Sequence, residues 1–591
     1  MTTACVPHPP TVVRSRPAER ADWLRRLSRS RRRAIVQTEH ATRQGLDGRL
    51  VAMVSRGGFL VGSRPSIVSS CEPGRIRLSD TARFRRTNPY DFTGAGKVNV
   101  RSTSRRDFLR TSVATGAGLA VGCSLDKEQR GTTGGDAAAS SDSDTKSARA
   151  HTSPADVTIR IAPVLVELSP HHIISTVGYN GSVPAPVIRF KEGRPVSVEL
   201  INETDTPELV HWHGQFLPSV IDGASEEGTP FVAPHGSRRY SLTPKPSGTR
   251  WVHTHAFAGA DLNRGTYTGQ FGIVYIEPSS EPGRFDREIF LATHEWEPFL
   301  GAEEMGTDAE TWPPGNVPHP KPVSTPNGYE VGYRAFSING KSLGSGEPLR
   351  VKRGERVMFR VLNASATENI QLALPGHQFE VIALDGNPVP TPRKVHVLAL
   401  GSAERIDAIV EMNHPGVWIL GTPNDDDRRD GMGIVVEYAG VTGAPRWHAP
   451  PKEPWDYSLF GDQRVRPAPD HTIPMAIGKI NGGKYGFNRW TINSQQFEHS
   501  TPIEIHEGRR YRLAFQNLAD DPHPLHLHRH SFELRSVNGK PTGGVMKDTV
   551  VVPGFGTVDV DFVANDPGLT LFHCHQTLHM DFGLMRLFKY V

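Results

Sequence analysis

Glu192-Gly193-Arg194-Pro195-Val196-Ser197-Val198-Glu199-Leu200-Ile201-Asn202 is the stretch that decides the fold, because it recurs twice further along the chain. The second copy runs from Arg353-Gly354 to Asn363 and the third from Glu507-Gly508 to Asn517, with nine residues from Gly to Asn each time. Between them apolar residues alternate or run together, as is typical of β-strands. The copies lie 161 and 154 residues apart, a length that suits a Greek-key β-sandwich with long loops. The sequence therefore predicts an all-β chain with three copies of one domain.

Pairs of histidines separated by one residue follow the repeat in the first and third copies only. Nine and eleven residues after the repeat Asn, these two copies carry His211 and His213, and His526 and His528. The middle copy has Leu372 and Leu374 at these places, or Ala373 and Pro375 if the register slips by one.

A second histidine pair follows later in the same two copies. Five and seven residues after a Gly (Gly248, Gly568) stand His253 and His255, and His573 and His575. Counted from Gly416, the middle copy offers Gly421 and Pro423. The first and third domains are therefore predicted to supply four histidines each, and the middle domain is predicted to be a metal-free spacer or substrate wall.

The spacing of these histidines favours metal binding. On a strand, side chains two residues apart point to the same face, so each pair presents two imidazoles together. Eight such ligands are too many for one metal ion. Cys574 with His523 and His579 would make a separate sulfur–nitrogen site of the blue-copper kind. The H-C-H-x-x-x-H run alone could hold zinc, but zinc does not explain eight histidines in two related halves.

Two C-terminal motifs resemble the signature of the multicopper oxidases, the family of laccases, ascorbate oxidase and metal oxidases. They are H-P-x-H-L-H-x-H-x-F, from His523 to Phe532, and H-C-H-x-x-x-H-x-x-x-G-[LM], from His573 to Leu584. The match extends over roughly residues 155–591. The resemblance implies three consecutive cupredoxin-like Greek-key β-sandwich domains: residues 155–281, 282–445 and 446–591.

The resemblance also implies four copper ions. A type 1 copper would take Cys574, His523 and His579. A trinuclear cluster between the first and third domains would hold a type 2 copper with His211 and His526. The type 3 pair of that cluster would take His213, His253, His255, His528, His573 and His575. Because Cys574 stands between two cluster ligands, an electron that arrives at its sulfur would reach the cluster through adjacent backbone.

The axial position of the type 1 site is predicted to lack a ligand. Five residues after His579 stands Leu584, where some relatives have Met. Leu cannot coordinate copper, and the loss of a thioether donor destabilises the oxidised ion, which predicts a higher potential than in relatives with Met. Met585 would take this place only if the turn were shifted by one residue.

One acidic residue is predicted to supply protons to the cluster. Asp222, in Ile221-Asp222-Gly223, matches a family acid that relays protons, although an Asp-Gly pair is also common in ordinary turns. Some relatives carry a second acid directly after the last type 1 histidine. That place is Met580 here, which leaves Asp581 as a weak substitute.

The first 154 residues read as a leader. Residues 1–97 are rich in Arg without strand or helix periodicity, which favours either a disordered basic arm or a translation start placed too early. Residues 98–123 contain Ser104-Arg105-Arg106-Asp107-Phe108-Leu109-Arg110, which looks like a twin-arginine export signal, followed by a lipoprotein-like box at Cys123. Residues 124–154 read as a flexible linker. The sequence therefore predicts export to the periplasm, cell envelope or medium, with a lipid anchor at Cys123 as an alternative to simple removal of the signal.

Charge and cysteine content distinguish the leader from the rest. Residues 1–110 hold 23 Lys+Arg against 8 Asp+Glu, whereas the remainder holds 44 against 55. The acidic body does not imply a nucleic-acid partner. It also keeps Cys574 as its one cysteine after Cys123, so it has no disulfide framework.

The electron donor is less closely defined than the acceptor, dioxygen. The leading interpretation is a laccase-like oxidase of phenols or other small aromatic reductants. The alternative is an oxidase of Cu(I), Fe(II) or Mn(II). The chain has only ten Met residues and no Met-rich segment, which counts against Cu(I) as the donor. The stretch Asp425-Asp426-Asp427-Arg428-Arg429-Asp430 could dock cations, but a solvated loop is the favoured interpretation. A third hypothesis is a copper-free envelope protein of the same fold, against which the full set of ligands argues.

Overall fold

The computed structural model describes residues 153–302, 328–482 and 486–591, and these residues form β-strands with few and short helices. The described strands make three pairs of large sheets in chain order and one two-stranded sheet, which confirms the predicted all-β fold with three β-sandwich domains. The predicted basic leader, the export signal with Cys123 and the linker as far as residue 152 lie outside the described residues. Among the described residues, no helix is both long enough and apolar enough to span a membrane.

The first domain is a sandwich of two four-stranded sheets. Its strands are β1 (Val157–Ser169), β2 (His172–Tyr179), β3 (Ala185–Lys191), β4 (Val196–Asn202), β5 (His211–His213), β6 (Ser237–Leu242), β7 (Gly248–His253) and β8 (Phe271–Glu277). The sheet orders are β2-β1-β4-β6 and β3-β8-β7-β5, and Ile159, Trp212 and Val252 pack between them. Helix α1 (Ser219–Asp222) and the 3-10 turns Ser225–Glu227 and Gly265–Tyr267 lie in the loops.

The second domain has larger sheets. Its strands are β9 (Arg287–Trp296), β10 (Phe299–Ala302), β11 (Tyr329–Gly332), β12 (Ala335–Ile338), β13 (Leu349–Val351), β14 (Arg356–Asn363), β15 (Ile370–Ala373), β16 (Phe379–Leu384), β17 (Asn387–Val395), β18 (Val397–Leu400), β19 (Arg405–Glu411), β20 (Val417–Gly421) and β21 (Gly433–Tyr438). The sheet orders are β12-β9-β14-β19-β16-β17 and β13-β21-β20-β15-β18, and β10 pairs with β11. Helix α2 (Asp425–Arg429) precedes β21.

The third domain repeats the arrangement. Its strands are β22 (His471–Ile480), β23 (Arg489–Ile492), β24 (Ile503–Ile505), β25 (Arg510–Asn517), β26 (His523–Leu527), β27 (Phe532–Val537), β28 (Lys540–Pro541), β29 (Met546–Lys547), β30 (Thr549–Val552), β31 (Thr557–Val563), β32 (Leu569–Cys574) and β33 (Met585–Tyr590). The sheet orders are β23-β22-β25-β31-β27-β28, with β29 beside β27, and β24-β33-β32-β26-β30. Helix α3 (Thr577–Asp581) follows β32, and 3-10 turns cover Tyr457–Phe460 and Phe497–His499.

The repeated Gly and Asn have one structural role in all three copies. The repeat strand is β4, β14 or β25, and in each domain it pairs parallel with the first strand and antiparallel with a later one. The Gly before it has a φ of +71° to +81°, which a side chain would strain. The Asn that ends it is buried, and its Oδ1 accepts the N–H of the residue two positions further on. Its amide donates to backbone carbonyls of the following loop.

Strand register explains which domains carry the histidine pairs. His211 on β5 lies opposite His253 on β7, and His526 on β26 lies opposite His573 on β32. In the middle domain the equivalent bridge joins Ala373 and Gly421. The slipped register anticipated from the sequence is therefore the one that the middle domain adopts.

The first and second domains approach each other through bare backbone. Gly248 has a φ of +110°, and a Cβ atom built on it would lie 1.9 Å from the Gly386 carbonyl oxygen. A Cβ on Gly386 would in turn lie 2.7 Å from the Thr249 backbone nitrogen. Two glycines are thus needed where these domains meet.

Candidate metal centre

Eight buried histidines from the first and third domains meet at one place. The strand pairs β5–β7 and β26–β32 face each other, so that His213 stacks on His526 at 3.7 Å and His211 on His528 at 4.0 Å between ring centroids. Three groups of ring nitrogens, each with its atoms within 4.8 Å of one another, contain seven of these residues, and the eighth, His575, has its Nε2 atom 3.3 Å from that of His253. The full set is His211, His213, His253, His255, His526, His528, His573 and His575.

The outer hydrogen bonds of these rings fix which nitrogen faces inward. A carbonyl oxygen only accepts, so His211, His253, His526 and His573 each donate from Nδ1 to a backbone carbonyl at 2.8 Å. Their Nε2 atoms therefore keep a free lone pair. His213 is reversed, because its Nε2 contacts Asp548 at 3.0 Å and leaves Nδ1 without a hydrogen-bond partner among the described residues.

Lone pairs face one another in the middle of the set. The Nε2 atoms of His528 and His573 lie 3.0 Å apart, and those of His253 and His575 lie 3.3 Å apart. His528 and His573 both direct their Nδ1 to an acceptor, so neither Nε2 carries a proton that could join them. Such an arrangement is repulsive without a cation, and it fits imidazoles that share metal ions.

Burial favours the neutral form of seven of these imidazoles. It lowers the pKa of His213, His253, His528, His573 and His575 well below the usual value, and the neighbouring histidines add to the effect. Burial likewise lowers the pKa of His526 to about 3 and that of His255 to about 4. Neutral imidazole is the form that coordinates a metal.

Cys574 lies in a second, smaller group on the other face of β32. Its Sγ is 3.7 Å from His523 Nδ1 and 3.8 Å from His579 Nδ1, and these two nitrogens are 3.1 Å apart. Burial raises the pKa of the Cys574 thiol, which therefore needs a cation to become a thiolate. The indole of Trp490 packs against both histidines, with centroid distances of 4.7 Å and 4.3 Å. One sulfur and two imidazoles are the donor set of a blue-copper site.

Register also separates Leu584 from Met585. Met585 pairs directly with His573, so the two side chains share one face of the sheet. Leu584 lies in the same buried apolar cluster as Cys574, and its carbonyl accepts the Cys574 N–H at 3.0 Å. Met585 packs instead with Leu571 and Met580. The turn therefore brings Leu584, and not Met585, towards the Cys574 group.

Two buried acids border the histidine set. Asp222 lies with Oδ2 2.9 Å from His528 Nδ1 and 3.2 Å from His211 Nδ1. Glu227, which the sequence analysis missed, lies with Oε1 3.5 Å from His528 Nδ1 and accepts the Leu571 N–H at 2.6 Å. Burial and the nearby Asp222 raise the pKa of Glu227 well above its usual value. Its position in Ser225-Glu226-Glu227-Gly228 looks like a surface turn, so the sequence held no signal for it.

Neither Met580, which occupies the place of the second acid, nor its predicted substitute Asp581 offers a carboxylate to the histidine set. Met580 lines the small cavity beside His253 and His573. Asp581 points away into a loop of the first domain, where its Oδ2 accepts the N–H groups of Ala258 and Gly259 at 2.9 Å and 2.6 Å. Burial raises the pKa of Asp581 to about 7.

Carboxylates also approach the Cys574 group from outside. Glu330 Oε2 lies 3.5 Å from His579 Nε2, and Glu330 Oε1 accepts from the Asn488 amide at 3.3 Å. Asp521, two residues before His523, pairs with Lys479 at 3.0 Å. Glu330 was missed as well, because it comes from the second domain and no repeat position marks it.

The acidic stretch of the middle domain is a short helix, not the loop that the sequence suggested. The Asn424 side chain accepts the Asp426 N–H and so caps α2. Asp425 pairs with Arg428, and Asp426 with Arg429 at 2.7 Å, one helical turn away. Its charges are therefore partly balanced within the helix.

Known proteins resemble the chain over most of the region that the structure describes. Three family models, each described as multicopper oxidase, match residues 164–281, 319–434 and 469–591. Multicopper oxidase MmcO of Mycobacterium tuberculosis is 28% identical over 519 residues, which are 84% of this chain and 99% of that protein. Copper resistance protein A of Escherichia coli is 22% identical over 69% of this chain and 88% of that protein. A solved multicopper oxidase of Pseudomonas thermotolerans is 25% identical, with a TM-score of 0.56 over 73% of this chain and 98% of the other.

Proposed function

The chain belongs to the multicopper oxidase family, and we propose that it is a laccase-like member that couples oxidation of phenols and other aromatic donors to reduction of dioxygen to water. It is thus an oxidoreductase that uses oxygen. One observation carries the proposal: Cys574 belongs to one group of donor atoms, whereas its chain neighbours His573 and His575 belong to the histidine set, with their Nε2 atoms 3.0 Å from His528 Nε2 and 3.3 Å from His253 Nε2. Two bonded residues therefore connect the place where electrons arrive with the place where dioxygen is reduced.

The donor atoms are assigned to four copper ions. We assign a type 1 ion to Cys574, His523 and His579, with Leu584 as a non-coordinating axial neighbour, and a type 2 ion to His211 and His526. The type 3 pair is assigned to His213, His253, His255, His528, His573 and His575. When bound, these ions supply single-electron transfer and the binding and reduction of dioxygen. The free lone pairs and the thiol described above support the assignment.

Asp222 is proposed to deliver protons. Reduction of one dioxygen to two waters consumes four electrons and four protons, and the cluster is buried. Asp222 touches His211 and His528, and its Oδ1 has no hydrogen-bond partner among the described residues, so it is placed to pass protons inward. Glu227 adjoins it.

The position of Glu330 supports a phenol as the electron donor. A phenol loses a proton when it loses an electron, so a base beside the electron-accepting edge assists the step. Burial raises the pKa of Glu330, but its contacts with His579 and the Asn488 amide and the nearby Lys479 outweigh burial and leave the pKa below its usual value. An ionised Glu330 beside His579 can accept the phenolic proton while the electron leaves through His579. Phe487 and Phe582 stack at 4.6 Å nearby and offer aromatic surface.

Oxidation of metal ions is the second candidate function, and the surroundings of His579 also favour it. Glu330 and Asp521 present carboxylates near His579, and the exposed Asp520 pairs with the same Lys479 as Asp521; such oxygen donors suit Fe(II) or Mn(II). The relative named copper resistance protein A also makes a metal ion a reasonable donor for this chain.

Dioxygen uptake by the copper-loaded full chain separates the two candidates. We would compare 2,6-dimethoxyphenol with Fe(II) and Cu(I) at matched concentrations. Faster uptake with the phenol supports the laccase-like function, whereas uptake with metal ions alone moves the assignment to a metal oxidase. A chain that binds copper fully and takes up no dioxygen with any donor contradicts both.

We further propose that the protein is exported in a folded state by the twin-arginine machinery. The motif around Arg105 and Arg106 supports this, and so does the body, whose described residues contain Cys574 as their one cysteine and hence need no disulfide. Replacing both arginines by Lys should trap the protein in the cytoplasm, as fractionation would detect. Cys123→Ser tests the lipid anchor, because it should release the protein from the membrane only if Cys123 is lipidated.

A further inference from the structure

The carboxylate of Asp548 connects the histidine set with the middle domain. Its Oδ1 accepts from His213 Nε2 at 3.0 Å, and its backbone carbonyl accepts from His526 Nδ1 at 2.8 Å. On the other side, both carboxylate oxygens accept from the Arg405 guanidinium, at 2.8 Å and 2.5 Å. Asp548 therefore touches one histidine from each half of the cluster and is itself held by a two-point ion pair, the most directional kind.

This ion pair is completely buried in a balanced group of charges. Arg250, Arg405 and Lys547 supply three cations, and Asp385, Glu404 and Asp548 supply three anions. All six side chains are at most 2% exposed. Balance matters because a buried charge without a partner is costly, so loss of one member would disturb the others.

Each of the three domains contributes to this group. Arg250 comes from the first domain, Arg405 and Asp385 from the second, and Asp548 from the third. Asp385 acts as the hub: its carbonyl accepts from Arg250 at 2.5 Å, and its carboxylate accepts the N–H groups of Asp548 and Thr549 at 3.3 Å and 3.1 Å. The middle domain is thus more than a spacer.

The residue after His213 is adapted to the ion pair. Gly214 has a φ of +78°, and a Cβ built on it would lie 2.5 Å from Asp548 Oδ2 and 2.8 Å from Arg405 Nη2. The Arg405–Asp548 ion pair therefore occupies the space beside the backbone of Gly214, where only glycine leaves room.

We propose that Arg405 of the middle domain is a positioning residue for the trinuclear site. It fixes the Asp548 carboxylate, which holds the His213 ring with Nδ1 turned inward. Without the two-point contact Asp548 would rotate, and His213 Nε2 would lose its shorter and charged hydrogen bond, keeping only the contact with Thr549 Oγ1 at 3.2 Å. The inference rests on the proposed assignment of His213 to the type 3 pair.

A purely structural role is the alternative, and Arg360 provides the matched control. Arg360 is also buried in the second domain and pairs with Asp407 at 2.7 Å, Glu288 at 2.9 Å and Glu281 at 3.1 Å. In the part of the chain that the structure describes, none of these acids contacts a proposed copper ligand. Lys in place of either arginine keeps the charge but loses the planar two-point geometry.

The test compares Arg405→Lys with Arg360→Lys in the full chain. Copper per chain, the electron paramagnetic resonance signal of type 2 copper and the near-ultraviolet band of the type 3 pair report on the cluster, and the melting temperature of the copper-free protein reports on the fold. We expect both variants to melt at lower temperature and both to keep the blue band of the Cys574 site. We expect only Arg405→Lys to change the cluster signals and to weaken copper retention there, by about 10- to 100-fold in affinity.

Two outcomes would overturn the inference. The first is that both variants give the same cluster signals. The second is that Arg405→Lys loses its blue band together with its cluster signals, which would indicate general unfolding. If Arg405→Lys does not accumulate, Asp548→Asn tests the same contact: altered cluster signals support the inference and unchanged ones contradict it. A wild-type chain that binds no copper would contradict the copper assignment instead.

Discussion

Asp222 and His528 are 306 residues apart in the chain, yet Asp222 Oδ2 lies 2.9 Å from His528 Nδ1 in a fully buried contact. One belongs to the first domain and the other to the third, so the contact bridges the two halves of the histidine set. A carboxylate there can both orient the imidazole and carry a proton.

Asp222→Asn should therefore slow the reaction with dioxygen without affecting electron uptake. Asn keeps the shape of the side chain but cannot carry a proton, and a lost proton donor costs about 100-fold or more in rate. The measurement is stopped-flow reoxidation of the fully reduced protein, beside anaerobic reduction of the blue site. Equal slowing of both steps would make Asp222 a structural residue.

Cys574→Ser should remove the blue colour and oxidase turnover while the fold persists. The serine hydroxyl fills nearly the same space but does not provide the thiolate that a blue site requires. Visible absorption, copper content and the melting temperature of the copper-free protein check this. A blue Cys574→Ser protein would refute the type 1 assignment.

Leu584→Met should lower the type 1 potential. Leu584 lies in the cluster of Cys574, whereas Met585 lies on the opposite face, so a thioether at position 584 reaches the site and stabilises the oxidised ion. Redox titration of the blue band measures the shift. Met585→Leu is the matched control and should leave the potential unchanged; an unchanged potential in Leu584→Met would mean that Leu584 is not axial.

Glu330→Gln should distinguish donors that release a proton from donors that do not. Turnover of 2,6-dimethoxyphenol should fall by about 100-fold, because Gln cannot accept the phenolic proton. Ferrocyanide gives up an electron and no proton, so its oxidation should change little. Similar losses with both donors would show that Glu330 acts only on the geometry or potential of the His579 site.

Gly248→Ala should destabilise the fold more than Gly354→Ala. Both glycines have positive φ, so each substitution introduces backbone strain of about 1–2 kcal/mol. Only at Gly248 would the new methyl group also clash, with the Gly386 carbonyl, whereas Gly354 has no atom within 4 Å of the added group. Thermal unfolding of the copper-free proteins measures the difference. An equal fall in melting temperature in both variants would mean that the first and second domains can separate locally at no cost in free energy.

The parts of the molecule that repeat were predictable, and the parts that depend on contacts between domains were not. Gly193 and Asn202 mark a turn and a buried side chain that recur in each copy, so the same sequence pattern identifies the equivalent strand in all three domains. Histidines two residues apart on a strand had to share a face. Asp548 and Arg405 gave no such signal, because their pairing depends on a docking geometry between residues 143 positions apart. The Asp-rich stretch was misjudged because helix formation there depends on the Asn424 cap and on local Asp–Arg pairs.

The pairing of His213 with Asp548 and of His253 with His575 joins residues that are 335 and 322 positions apart. A ribosome therefore finishes the first domain long before the residues that complete its half of the cluster exist. During that interval the first four imidazoles lack their partners from the third domain, and His213 lacks the Asp548 carboxylate that orients its ring. Stable loading of the cluster with copper must accordingly follow release of the finished chain, and any protein truncated before residue 573 would carry an open half-site.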